Sequence, residues 1–164
     1  MATPSSSAGI LGAAVAGLAG LCLLPFVGCG GEGVEEGATV RVYVAAPLCA
    51  GARQELARKG PRVGEVNVQA VCLASSEAGG RIDLAAIGAN ARRATQDTST
   101  VGYIGEAEPR AARFSSTILE SAGIAQVPGA SGRRAMASLL AAIEAAGSTD
   151  NLREAVDEEI SGSG

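Results

Sequence analysis

The sequence has no histidine and no tryptophan, and its aromatic residues stop at two Tyr and two Phe. Lack of His removes the side chain that titrates near neutral pH and the commonest metal ligand, which counts against a triad hydrolase and a zinc enzyme. With so few aromatics and so much Ala and Gly, the core is built from many small contacts and is expected to be only modestly stable. Basic charge is short as well: 13 Lys and Arg stand against 17 Asp and Glu, for a net charge of −4. Binding phosphates needs a basic face, so a nucleic-acid partner is not expected. Also missing are a Gly-x-Gly-x-x-Gly after the first predicted strand, a phosphate loop and a Gly-x-Ser-x-Gly elbow. Ser115, Ser116 and Ser138 fall inside predicted helices with no base nearby. Binding without catalysis is therefore expected, with no cofactor and no metal site. A length of 164 residues allows one domain with a moderate core, not two full lobes.

The best-marked stretch is residues 101–127, VGYIGEAEPRAARFSSTILESAGIAQV. Residues 101–104 and 124–127 are short apolar runs closed by Gly105 and by Pro128-Gly129, and both read as buried strands. Between them Pro109 suits the first position of a helix. Phe114, Ile118, Leu119 and Ala122 follow at helical spacing, and Gly123 sits where a left-handed cap belongs. A β-α-β unit of this length implies parallel strands with a right-handed crossover, so both strands end on the edge where open parallel sheets bind ligands. The loops 106–108 and 129–132 become candidates for a site.

YIGE, a loop, FSSTILESAGIAQV and a small-residue loop resemble the amino-terminal lobe of type I periplasmic solute-binding proteins, the branched-chain amino acid receptors of ABC importers. The likeness implies a type I periplasmic-binding-protein-like lobe, an amino-acid-like solute, an ABC permease as partner, and ligand loops after the strands. Carried over by position, those loops are Pro47-Leu48-Cys49, then Glu106 and Ala107, then Ala130 and Ser131. Ser131 matches a hydroxyl position of the family in type. Glu106 and Glu108 stand where hydroxyls are usual; Glu106 would repel a ligand carboxylate yet could pair with an ammonium or polyamine. The alternative is that both carboxylates simply favour the start of the following helix through its dipole.

Taken in order, residues 10–27 form an apolar segment too short and Gly-rich for a confident membrane span, and read as the core of a signal peptide. Phe26-Val27-Gly28-Cys29 resembles the lipobox of bacterial lipoproteins, which implies a signal peptide over residues 1–28, lipidation at Cys29 and an extracytoplasmic chain anchored to the membrane. Phe26 stands where Leu is usual, and MATPSSSAGI carries no Lys or Arg, which leaves a wrongly chosen start open. An uncleaved anchor and an ordinary signal peptide are the other readings. Residues 29–38 read as a flexible acidic tether.

TVRVYVA, residues 39–45, is the first predicted strand; 46–51 is its loop, and a short helix runs to Lys59 before Gly60-Pro61. EVNVQAVCL, residues 65–73, is the second strand, followed by a turn-rich loop at 75–80. Asp83 caps a helix whose Leu84, Ile87, Ala91 and Ala94 share a face, with Arg92 and Arg93 on the solvated side. The expected fold is α/β, a doubly wound parallel sheet of about four strands in the order 2-1-3-4. If Cys22 leaves with the signal and Cys29 carries lipid, Cys49 and Cys72 remain, at the ends of adjacent parallel strands. Export would oxidise such a pair to a disulfide; two buried free thiols are the alternative.

After Gly132, RRAMASLLAAIEAA places Met136, Leu139, Leu140 and Ile143 on one helical face, ended by Gly147. Residues 148–150 offer a cap for a last helix carrying Leu152, Val156 and Ile160. AMASLLAAIEAAGSTDNLREAV resembles the helical segment found late in type I binding proteins, where the chain has already visited a second lobe. Residues 39–132 then correspond to an amino-terminal lobe without its second lobe, and residues 133–164 to returning helices that pack on it. Two generic amphipathic helices are the other reading. Besides solute binding, a protein-interaction module, a homodimer formed through the exposed cleft edge, or an inactive remnant fits the same residues.

Overall fold

The computed structural model describes residues 37–147 and 149–163. The expected signal segment, the Cys29 site and the tether up to residue 36 lie outside them. Strand β1 (Thr39–Val44) leads into α1 (Ala46–Lys59), and β2 (Arg62–Val63) turns into β3 (Val66–Cys72). A small hairpin, β4 (Glu77–Ala78) and β5 (Arg81–Ile82), precedes α2 (Leu84–Gln96). Then come β6 (Thr100–Ile104), α3 (Pro109–Glu120), β7 (Ala125–Val127), α4 (Gly132–Ala146) and α5 (Leu152–Gly162).

The chain is α/β, with a five-stranded mixed sheet in the order β2-β3-β1-β6-β7. The expected wholly parallel sheet of about four strands in the order 2-1-3-4 is thereby corrected by a fifth, antiparallel strand at its edge. β3, β1, β6 and β7 do pair in parallel with their neighbours. Missed at the sequence level was β2, which pairs antiparallel with the start of β3 because Gly64, at φ 56, opens a two-residue turn. Gly79 and Gly80, at φ 57 and 72, likewise fold the expected 75–80 loop into the β4–β5 hairpin. The last tether residues are also tied down: Gly37 N–H donates to Glu65 O at 2.6 Å and Asn67 N–H to Ala38 O at 2.8 Å.

Alternation along β1 sorts the core into two layers. Val40, Val42 and Val44 pack with Leu48 and Ala52 of α1, Met136, Leu139 and Ile143 of α4, and Leu152 and Val156 of α5. Tyr43 points the other way, to Ala91 and Ala94 of α2, Leu119 of α3 and Tyr103 of β6. Helices thus cover both faces of the sheet. The apolar stripe of α4, with Met136 and Leu139 fully buried, rests on β6 and β7, and α5 crosses the same strands.

Several local expectations need correction. Residues 46–51 are not a loop: they begin α1, because Pro47 in the first turn lacks only an N–H the helix leaves unpaired anyway. Leu84 and Phe114 keep helical spacing but are 49% and 42% exposed. The cap of α5 is Asn151 rather than residues 148–150. Asp83, by contrast, caps α2 through Ala85 and Ala86 N–H as its sequence suggests, and Gly123 takes φ 61 after α3. Cys49, in the first turn of α1, and Cys72, ending β3, stand as a disulfide pair with Cα atoms 5.6 Å apart.

Candidate functional site

β1 and β6 lie side by side at the centre of the sheet, and the chain leaves them in different directions. From β1 it enters α1 on one face; from β6 it enters α3 on the other. Such a divergence opens a crevice at the carboxyl ends of the two strands. Here the crevice is a hollow of about 170 Å³, walled by Leu48 of α1, Ile82 of the hairpin, Ile87 of α2 and Ala111 of α3. Glu77, Glu106 and Glu108 bring the charge to its lining.

Glu106 follows Gly105 directly after β6 and is 8% exposed. Its Oε1 accepts from the Tyr103 hydroxyl at 3.3 Å, and its Oε2 lies 3.2 Å from Ser115 Oγ, which in turn accepts from Gln126 Nε2 at 2.9 Å. Ser115 has one proton to give and also stands 3.0 Å from Ala112 O, so its donation to Glu106 is shared. Burial, and then the neighbouring Glu106, push the Tyr103 phenol far above its ordinary value, which keeps it a donor. Glu108 behaves differently. Its side chain caps α3, accepting from Ala111 N–H at 2.8 Å, as the helix-dipole reading anticipates for this residue.

The structure gathers Pro47, Leu48, Glu106 and Ala107 around one hollow. It does not bring Ala130 and Ser131 there. Those two line a separate hollow of about 360 Å³ with Pro128, Arg134 and Ser138. Ser131 is the cap of α4, its Oγ accepting from Arg134 N–H at 3.4 Å, so its hydroxyl serves the helix. Ser76, Ile82, Ile87 and Ala111 were not singled out as site residues in the sequence, although Ile87 on the apolar face of a helix starting at the same edge was a usable signal.

No protein-family model, curated protein or solved structure matches the chain. Among the described residues no helix is long and apolar enough to cross a membrane, and no group of three or more His, Cys, Asp and Glu is placed to hold a metal. Another hollow, of about 600 Å³, opens at the amino ends of the strands, beside Thr39, Ser99 and Asn151. There the basic side chain, Arg153, is committed to main-chain carbonyls of Thr100, Ala122, Asp97 and Thr98. The chain therefore has its candidate site at the carboxyl edge.

Proposed function

We propose that this chain is a single-lobed, lipid-anchored extracytoplasmic solute-binding module of the kind that serves an ABC importer, holding a small solute without transforming it. The observation that carries this reading is the hollow between the ends of β1 and β6, apolar in its walls and furnished with one buried carboxylate. Small-molecule sites combine such walls with few polar groups. Nothing in the lining supplies a nucleophile paired with a base.

A single lobe provides one wall of a cleft, so much of a bound solute would remain in water and affinity should lie in the millimolar range. Isothermal titration of the monomer against amino acids and related small polar solutes tests this. Micromolar or tighter binding would overturn the half-cleft argument. Labelling with a fatty acid, with and without Cys29→Ser, tests the anchor; label retained by the variant would remove it.

Self-association is a second reading, favoured by Ile82, Leu84 and Phe114, which are 41%, 49% and 42% exposed. Light scattering after size exclusion decides between them: a constitutive dimer that dissociates on Ile82→Glu favours the interaction module over the monomeric binder.

A further inference from the structure

We propose that the hollow at the ends of β1 and β6 takes an organic cation, a primary amine on a short aliphatic body, in preference to a zwitterionic amino acid. This names the ligand class of the site described above and rests on the solute-binding reading. Charge of one sign lines the hollow: Glu77, Glu106 and Glu108 are there, and no Lys or Arg is. A ligand carboxylate would meet three carboxylates and no cation.

Helix starts could still welcome an anion, and those of α1, α2 and α3 lie at this edge. The start of α2 is capped by Asp83, which accepts from Ala85 and Ala86 N–H, and the other two are blunted. α1 and α3 each carry Pro in the first turn, at Pro47 and Pro109, where an amide would otherwise point outward. Leu48 N–H is already occupied by Ala45 O at 2.9 Å and Ala111 N–H by the Glu108 carboxylate at 2.8 Å. The edge thus gives an anion neither charge nor these main-chain donors.

Glu106 supplies the opposite. Glu106 is 8% exposed, and its carboxylate has no ion-pair partner among the described residues and accepts only from the neutral hydroxyls of Tyr103 and Ser115. Two neutral donors leave lone pairs unfilled, and a primary ammonium brings three donors and no acceptor. Charge-assisted bonds of that kind are the strong ones. The body of the ligand is bounded by volume: about 170 Å³, at ~30 Å³ per water-sized group, admits roughly six heavy atoms. Leu48, Ile82 and Ile87 would enclose an aliphatic chain of that size.

Isoamylamine, 3-methylbutan-1-ol, isovalerate and leucine share a branched body and differ in charge. Each is titrated into the isotopically labelled full chain while amide resonances are followed. The amine is expected to saturate shifts at residues 82–87 and 106–111 with a Kd at least tenfold below those of the other three, and Glu106→Gln to erase that tenfold advantage. An alcohol equal to the amine, or leucine or isovalerate binding more tightly, overturns amine selectivity while saturable shifts at the hollow preserve the solute-binding site. No saturable shift with any of the four overturns both. Should Glu106→Gln fail to fold, the four probes on the unaltered chain decide alone.

Discussion

Arg41 Nη1 donates to Asp97 Oδ2 over 2.8 Å and so ties the first strand to the residue that ends α2. Tyr43 Oη donates to the same oxygen at 2.9 Å, while Oδ1 accepts from Ser99 N–H at 3.0 Å and its hydroxyl at 2.6 Å. Burial on its own would raise the Asp97 carboxyl pKa; the Ser99, Arg41 and Tyr43 donors outweigh it and hold the group well below the usual carboxylate range. A carboxyl depressed in the folded state stabilises above its unfolded pKa, about 3.9, and that contribution fades as pH falls through the folded value. Denaturant unfolding should therefore show stability dropping below about pH 4, with a shallower drop for Asp97→Asn. At neutral pH the variant should lose only about 1 kcal/mol, because Arg41 is 43% exposed and its share is screened. An unchanged acid limb in Asp97→Asn would show that the network does not titrate this way.

Arg153 joins α5 to the amino edge of the sheet. Its guanidinium donates to Thr100 O at 2.8 Å, Ala122 O at 3.3 Å, Asp97 O at 3.0 Å and Thr98 O at 3.1 Å. Burial lowers its pKa somewhat, with no loss of charge near neutrality. Arg153→Ala should destabilise by about 3 kcal/mol, since several carbonyls lose a charged donor at once. Lys should restore little, because an ammonium cannot present the planar fork. Amide shifts at the carboxyl-edge hollow should stay as they are, which separates this role from one in solute binding.

Cys49 and Cys72 are 23 residues apart in sequence and clamp the first turn of α1 to the end of β3. Closing a loop of that size stabilises by about 3.5 kcal/mol in the chain-entropy model. Intact mass before and after reduction should differ by the two hydrogens of one disulfide, and the reduced chain should unfold at lower denaturant with a similar slope. Alkylation mapped to Cys49 and Cys72 in unreduced protein would favour the free-thiol alternative instead.

What could be read from residues and what could not divide along physical lines. β1, β3, β6 and β7 declared themselves because apolar, β-branched runs bounded by Gly and Pro have few other uses, and Asp83 and Gly123 mark termini by local chemistry alone. β2 was invisible: a two-residue strand carries no periodicity, and its signal, Gly64, reads equally as any turn. Leu84 and Phe114 mislead because helical spacing identifies a face but not how fully each position on it is covered. Pro47, Leu48, Glu106 and Ala107 were assigned by likeness to ligand loops, and the four do line one hollow. Ser131 was assigned by likeness to a ligand loop, whereas its hydroxyl caps α4. Tyr103, Ser115 and Gln126 around Glu106 come from three elements, and only tertiary packing joins them.

A close approach between two helices gives the last prediction. α1 and α4 cross at Gly132, where an added Cβ would overlap the Leu48 carbonyl oxygen and lie 2.8 Å from its carbon, and Gly51 faces Arg133 N in the same way at 3.1 Å. These obstacles are backbone, so relief requires the helices to separate. At Gly102 in β6 an added Cβ would meet Leu139 Cδ2 at 2.7 Å, the end of a side chain that can rotate. Gly132→Ala should therefore cost about 3 kcal/mol or more and Gly102→Ala about 1–2 kcal/mol. Leu48 also walls the hollow, so moving α1 should weaken solute binding in Gly132→Ala while Gly102→Ala keeps it. Thermal unfolding and the amine titration, run on both variants, test the ordering: equal melting temperatures would mean that the two helices have room to spare, and intact binding in a destabilised Gly132→Ala would detach the hollow from the α1–α4 crossing.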